Sequence, residues 1–205
     1  MLVTTEFALI HIPKTGGTFL SEAIKRTCEV LHEDLHCPYS EIPRDYRPLP
    51  AVAFVRNPWD WYVSWWTHHR KGRNDSNDWH YREFAIDRGV FSLSLHRTFS
   101  WGPSDYYSYV FEKLSEGTEV RRFEQLVHGF VSFLDEHEIE APGLREAVLN
   151  SPPINTGKRG SYHDYYDGHD RQMVASSPVA VRFDYRFDDA EVEADPPERP
   201  LQPNV

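Results

Sequence analysis

Cysteine is nearly absent. Cys28 and Cys37 are the only two in 205 residues, and neither stands in a metal-binding spacing, so a zinc module is excluded and both read as free thiols rather than a disulfide. Long hydrophobic runs are missing as well. None approaches the ~20 residues that a helix needs to cross a bilayer, and no leader precedes the first apolar stretch, so the expected compartment is the cytoplasm with no membrane partner. Positive charge is in the minority: 22 Lys and Arg stand against 32 Asp and Glu, for a net charge of −10. That balance argues against a nucleic-acid partner and against a long basic groove, while leaving room for a local basic pocket. Internal repeats and low-complexity segments are lacking too. What remains is 40% hydrophobic, enough for one core and too short for two comfortable domains. The expected organisation is one domain over residues 1–190, followed by a Pro-rich, acidic tail over 191–205.

The densest information lies in residues 6–20. Phe7, Ala8, Leu9, Ile10 and Ile12 form the apolar run of a buried strand. Pro13 ends it. Lys14, Thr15, Gly16, Gly17 and Thr18 then make a turn that opens a helix. Consecutive backbone N–H groups at a helix N-terminus favour an anion, through both unpaired donors and the helix dipole, and Lys14 adds a formal charge. The order of residues matters. A Walker A loop places Lys after its glycines with a hydroxyl beside it for Mg²⁺; here Lys14 precedes Gly16 and Gly17. A metal-dependent nucleoside triphosphatase or kinase therefore fits poorly. The plain alternative is a tight turn with a solvated lysine.

A second segment repeats the pattern. Residues 51–55 are an apolar strand, Arg56 sits at its carboxyl end, and Pro58 suits the first turn of the helix that follows. Ser64 lies eight positions after Arg56. The run Pro13-Lys14-Thr15-Gly16-Gly17-Thr18 resembles the 5′-phosphosulfate loop of sulfotransferases that use 3′-phosphoadenosine 5′-phosphosulfate (PAPS). The Arg56-x-Pro58 segment with Ser64 resembles the same family's 3′-phosphate motif, in the family's order. The chemistry is sensible, since Arg makes forked, charge-assisted contacts to phosphate and Ser adds a hydroxyl. Residues 120–126 resemble a later strand ending in an aromatic-Glu-x-Leu signature, and residues 155–162 resemble the C-terminal loop that closes over adenosine 3′,5′-bisphosphate (PAP). The resemblance spans residues 7–188 and is most specific in the first two motifs.

It implies a PAPS-dependent sulfotransferase of the small, carbohydrate-type class, with PAP as product and no metal. Cofactor contacts would come from Lys14, Thr15, Gly16, Gly17, Thr18, Phe19, Arg56, Ser64, Lys158, Arg159 and Gly160, with Lys14 also catalytic. Phe19 stands where some relatives stack adenine on an aromatic ring; packing on the helix face is the alternative. The acceptor would offer a hydroxyl or an amine; carbohydrate, small phenol, peptide and lipid headgroup all stay open, with a glycan or a small hydroxylated metabolite preferred. It must lose a proton, so a general base is expected. Relatives carry a His-containing segment between the two phosphate motifs. His36 matches that placement, and histidine titrates in the right range, with His32, Glu33 and Asp34 as alternatives.

Strand–helix alternation at this length predicts one α/β domain of P-loop-like type, a small central parallel sheet flanked by helices. Helices are expected over residues 18–31, 59–69, 82–87, 106–114, 124–137 and 168–176, and a strand over 119–123. Ligands in such folds sit at the carboxyl ends of the strands, where Lys14 and Arg56 both fall. The remaining candidates read as structure. His11 is a packed strand residue, and His68, His69 and His80 lack metal geometry because adjacent helical positions diverge. Trp59, Trp61, Trp65 and Trp66 are expected to pack the core and a cleft wall; Trp79 and Trp101 read as packing, with the wall of an acceptor site as the alternative. Arg70, Lys71 and Arg73 read as a solvated loop, with contact to an anionic acceptor as the alternative. Besides the sulfotransferase, a non-catalytic PAP or PAPS binder and an ATP-dependent kinase stay open.

Overall fold

The computed structural model describes residues 1–69, 89–100, 104–152 and 159–189. The expected helix at 82–87, the basic loop at 70–73, Trp79, His80, Trp101, Lys158 and the tail at 191–205 lie outside the described residues.

Among the described residues five strands form one sheet in the order β3-β1-β2-β4-β5. They are β1 (Leu2–Thr4), β2 (Ala8–Ile10), β3 (Val30–Glu33), β4 (Ala51–Val55) and β5 (Glu119–Arg122). β2, β4 and β5 pair in parallel, with Leu9 opposite Val52 and Ala53 opposite Val120. β1 is antiparallel to both β2 and β3. The sheet is therefore mixed, with the expected parallel strands beside one strand, β1, that runs against the rest. β2, β3, β4 and β5 all point one way and end on the same edge.

A local rule and a distant pairing explain the two strands that periodicity does not reveal. Thr4 closes the β1–β2 hairpin: its Oγ1 accepts from the Phe7 N–H at 3.1 Å and donates to the Phe7 carbonyl at 3.0 Å. Helix α1 (Gly17–Thr27) stops four residues short of the expected 31 because Cys28 turns extended, at φ −121° and ψ 153°. Cys28 and Leu31 fit a helical face by spacing alone; Leu31 instead lies on edge strand β3, 37% exposed.

The central strands are buried on both faces, and alternation divides them. Val52 and Phe54 join Leu9 and Phe7 in a core covered by α1, α5 (Leu126–Glu136) and α6 (Leu144–Asn150). Ala51, Ala53 and Val55 face the opposite core. That one is covered by α2 (Pro58–His69), α3 (Phe91–Phe99), α4 (Tyr106–Ser115), α7 (Gly168–Ala175) and α8 (Pro178–Arg182). The helices expected near 59–69, 106–114, 124–137 and 168–176 are present, the third beginning as a 3₁₀ turn at Phe123–Gln125. Among the described residues no helix is long and apolar enough to cross a membrane.

Candidate functional site

The loop after β2 is shaped by two glycines and held from α2. Gly16 adopts φ +80°, and a Cβ there would stand 2.5 Å from Leu126 and 3.0 Å from Phe123. Gly17 has no unusual φ, but its Cβ would overlap the His11 ring at 2.2 Å. The backbone therefore passes too close to its neighbours for any side chain at either position. Lys14 takes φ +64°, a strained value for a residue with a Cβ. Two side chains of the next motif hold it there. Trp61 Nε1 donates to the Pro13 carbonyl at 2.8 Å, and Arg56 Nη1 donates to the Lys14 carbonyl at 2.8 Å. Thr15 is buried and spends its hydroxyl on the Ile12 carbonyl at 2.9 Å. Thr18 is exposed on the first turn of α1. That helix has no side-chain cap and no acidic residue in its first turn, so its leading N–H groups and positive dipole end carry no anionic partner of their own.

Arg56 follows β4 and is held from several sides. Its Nε donates to Asp60 Oδ2 at 2.8 Å, its Nη2 reaches the same oxygen, and its Nη1 lies 3.3 Å from Ser64 Oγ. The Phe123 ring lies under the guanidinium, 4.4 Å from its carbon. The backbone around Arg56 is pinned as well, since Tyr107 Oη accepts its N–H at 2.8 Å and donates to its carbonyl at 3.1 Å. Glu124, the acid of the third motif, ties β5 to this corner. Its Oε1 accepts the Asn57 N–H at 2.6 Å and its Oε2 the Tyr185 hydroxyl at 2.8 Å. Arg159 arrives from the far end of the chain and pairs with Asp60 Oδ1. Gly160 beside it is exposed, and its Cβ would touch only Asp164 Oδ2 at 3.1 Å.

The structure thus brings Lys14, Arg56, Ser64 and Arg159 together at the carboxyl ends of β2 and β4. Burial pushes the Lys14 ammonium down to about 8, and Arg56 and Arg159 add to the shift. Burial works against charge on Asp60, but Arg56 and Arg159 outweigh it and hold that carboxyl below the usual range. Two arginines share one acid, with Lys14 beside them, in a chain whose net charge is −10. Arg159 Nη1 is buried and has no hydrogen-bond partner among the described residues. A buried cationic donor of this kind is costly unless a ligand supplies the acceptor.

Phe19 does not join the site. It is 7% exposed and packs with Leu9, Leu20 and Phe54 in the core on α1's side, so helix-face packing wins over a stacking role. His36 lies just past the carboxyl end of β3, exposed, with φ +57°. Its ring meets the His11 ring edge to face at 5.1 Å. His11 is not inside a strand, as expected from its apolar neighbours, but just beyond β2, packed on Gly17. Burial pushes His11 down to about 3, with His36, the amino terminus, Lys14 and Lys25 acting the same way. His32 lies half-buried on β3, while Glu33 and Asp34 are exposed and Glu33 pairs with Lys25. His69 is buried against Trp65, with Nδ1 2.6 Å from the Trp65 carbonyl. Among the described residues no group of three His, Cys, Asp or Glu side chains is placed to hold a metal ion.

Two contributors escaped sequence reading. Asp60 sat in plain view four residues after Arg56, but an acid in a helix's first turn reads as a complement to the dipole. His11 carried no signal beyond its place before the loop; its contact with Gly17 is a tertiary fact.

No protein-family model matches this chain, and no curated protein matches it. Among solved structures, mouse sulfotransferase SULT7A1 complexed with PAP is similar over 82% of this chain and 80% of that one, at 14% identity and a TM-score of 0.46. A likeness that remote carries no argument about function, so the residues of the site carry the reading.

Proposed function

We propose that this chain is a PAPS-dependent sulfotransferase, with a glycan or small hydroxylated metabolite as acceptor. The observation that carries the reading is the convergence of Lys14, Arg56 and Arg159 with the uncapped start of α1, in an otherwise acidic chain. The residues suit a nucleotide with two separate phosphate positions. Gly16 and Gly17 make a close backbone cradle beside Lys14, and Arg56, Ser64 and Arg159 form a second cationic corner whose buried Arg159 Nη1 is unpartnered among the described residues. The order Lys14-before-glycines and the Arg56–Ser64 spacing agree with the sulfotransferase resemblance and not with a Walker-type triphosphate site.

When bound, PAPS supplies the sulfuryl group and the phosphate that leaves. Lys14 and the α1 amides hold positive potential where the leaving phosphate gathers charge, the preorganised electrostatic help that typically dominates such catalysis. Arg56 holds the loop carbonyl of Lys14 in place, so the loop stays shaped before ligand arrives. His36 accepts the proton of the acceptor hydroxyl at a ring nitrogen. Its support is positional: it follows the carboxyl end of β3 on the sheet edge that bears Lys14 and Arg56, and its φ is one that non-glycine residues adopt where the surroundings over-determine them.

The test is thermal shift with PAP, ADP and ATP, each with and without Mg²⁺. Ligand that binds only the native state adds ~2.7 kcal/mol at a hundredfold excess over Kd. PAP stabilises the chain without Mg²⁺ and more than ADP does. Equal shifts by ADP and PAP, or an absolute Mg²⁺ requirement, overturn the reading. PAP binding with no transfer to any of a panel of glycans, phenols and amines leaves a nucleotide binder without catalysis.

A further inference from the structure

We propose that Asp60 is a positioning residue of this site: its carboxylate holds the Arg56 and Arg159 guanidiniums as a pair, one on each oxygen, and aims their remaining N–H groups at the nucleotide's 3′-phosphate. The inference rests on the nucleotide reading above and adds to it a residue of opposite charge to the others.

Asp60 lies in the first turn of α2, four residues after Arg56, and its two oxygens divide the work. Oδ2 takes Arg56 Nε and Nη2; Oδ1 takes Arg159 Nη2, from a residue 99 positions away. All three side chains are well covered, at 11% exposure for Arg56 and 17% each for Asp60 and Arg159. A guanidinium has five N–H donors. Arg56 commits four of them, to Asp60, the Lys14 carbonyl and Ser64, which leaves one on Nη2. Arg159 leaves Nη1 buried with no partner among the described residues. The free donors are thus those left over after Asp60 has taken its share.

Without an acid between them, two largely buried guanidiniums repel and separate. With it, they form a unit of net charge +1 and fixed geometry. A rigid fork loses less freedom on binding than two independent arginines do.

The proposal makes a prediction opposite in sign to simple electrostatics. If Asp60 were only a negative charge near an anion site, removing that charge would tighten anion binding. If it positions the arginines, removing it weakens binding.

The experiment measures PAP and ADP affinity by calorimetry on the full chain and on two variants. Asp60→Asn keeps the shape and removes the charge. Asp60→Glu keeps the charge and moves the oxygens by a methylene, and serves on its own if the Asn variant does not fold. Both lose PAP affinity by roughly tenfold to a hundredfold, the scale of hydrogen bonds to charged groups, and lose distinctly less ADP affinity, because ADP lacks the 3′-phosphate. In an Arg159→Ala background, Asp60→Asn costs less than it does in the parent, because part of its action passes through Arg159. Variants that bind PAP as well as the parent or better overturn the proposal, and so does an equal loss for PAP and ADP. A parent chain that does not prefer PAP to ADP overturns the nucleotide reading and this inference with it; a parent that prefers PAP with indifferent Asp60 variants overturns this inference alone.

Discussion

The corner around α2 and the segment that follows β3 lie on the same edge of the sheet and are built in different ways. At the first, Arg56, Asp60, Ser64 and Arg159 hold one another through ion pairs and hydrogen bonds, with Trp61, Tyr107 and Glu124 pinning the backbone beneath them. At the second, His36 is exposed and its ring rests on His11, which in turn rests on Gly17. A site that must meet a polyanion of fixed shape gains from being rigid before the ligand arrives, because desolvated charges are costly to rearrange. A site that must meet an acceptor and move one proton needs a group that reaches solvent. Both segments do share backbone strain. Lys14 and His36 are two of the four non-glycine residues with positive φ among the described residues, and such values cost ~1–3 kcal/mol each.

The largest expected effect tests the exposed side. His36→Ala lowers sulfuryl transfer by ~10²–10⁴-fold, the usual contribution of a positioned acid–base group, and leaves PAP affinity unchanged. Single-turnover rates together with PAP calorimetry check it. A variant that loses PAP affinity in step with rate would place His36 on the nucleotide side and erase the contrast. If transfer survives, His32, Glu33 and Asp34 are the next substitutions.

Next comes Arg56→Ala. A hydrogen bond to a charged group contributes ~1.5–3 kcal/mol, so PAP affinity falls by roughly ten- to a hundredfold. Because Arg56 also holds the Lys14 carbonyl at 2.8 Å, ADP affinity falls with it, by a smaller factor. Calorimetry with both ligands separates the two contributions: an untouched ADP affinity shows that the loop keeps its shape unaided.

The rigid corner was also the more legible one. The β2 and β4 runs announce themselves because strands buried on both faces are apolar throughout, and the turns after them carry their own residue signals. The eight-residue step from Arg56, just ahead of α2, to Ser64 on α2 brings their side chains within 3.3 Å of each other. Three-residue β1 and edge strand β3 were not legible. The first is fixed by Thr4's hydrogen bonds to Phe7, and the second by a strand partner distant in sequence. Helix α8 had a signal that went unread, Ser177 as cap and Pro178 in the first turn. The Asp60–Arg159 pair was out of reach, since neither residue's neighbours in sequence point to the other.

Lys14 gives a smaller effect that depends on pH. Its folded pKa is about 8, below the ~10.4 of a free lysine. Below pH 8 the ammonium is charged and assists the anion; as pH rises through 8 the ligand-free protein loses that charge. PAP affinity therefore falls from pH 7 to pH 9, by up to about tenfold per unit above the pKa. For stability the sign reverses: between about 8 and ~10.4 the unfolded chain binds the proton and the folded one does not, so this group makes folding more favourable as pH rises. Calorimetry at pH 7, 8 and 9 on the parent and on Lys14→Met checks the first statement. The parent shows a slope that the variant lacks; an equal slope in both assigns the titration to another group.

The smallest effect is expected at Ser64, and it measures how much of the rigid corner belongs to ligand and how much to itself. Ser64 Oγ lies 3.3 Å from Arg56 Nη1, a longer contact than the 2.8 Å that Arg56 makes with the Lys14 carbonyl through the same nitrogen. Arg56 stays anchored by Asp60 if the hydroxyl is removed. Ser64→Ala therefore leaves the melting temperature of the ligand-free chain nearly unchanged, since a net hydrogen bond of this kind contributes ~0.5–1.5 kcal/mol at most. PAP affinity drops by about two- to tenfold if the hydroxyl also serves the 3′-phosphate, and ADP affinity does not move. An unchanged PAP affinity confines Ser64 to orienting Arg56. The corner would then meet the phosphate through guanidinium groups alone, and the eight-residue spacing would reflect the packing of α2 rather than contact with ligand.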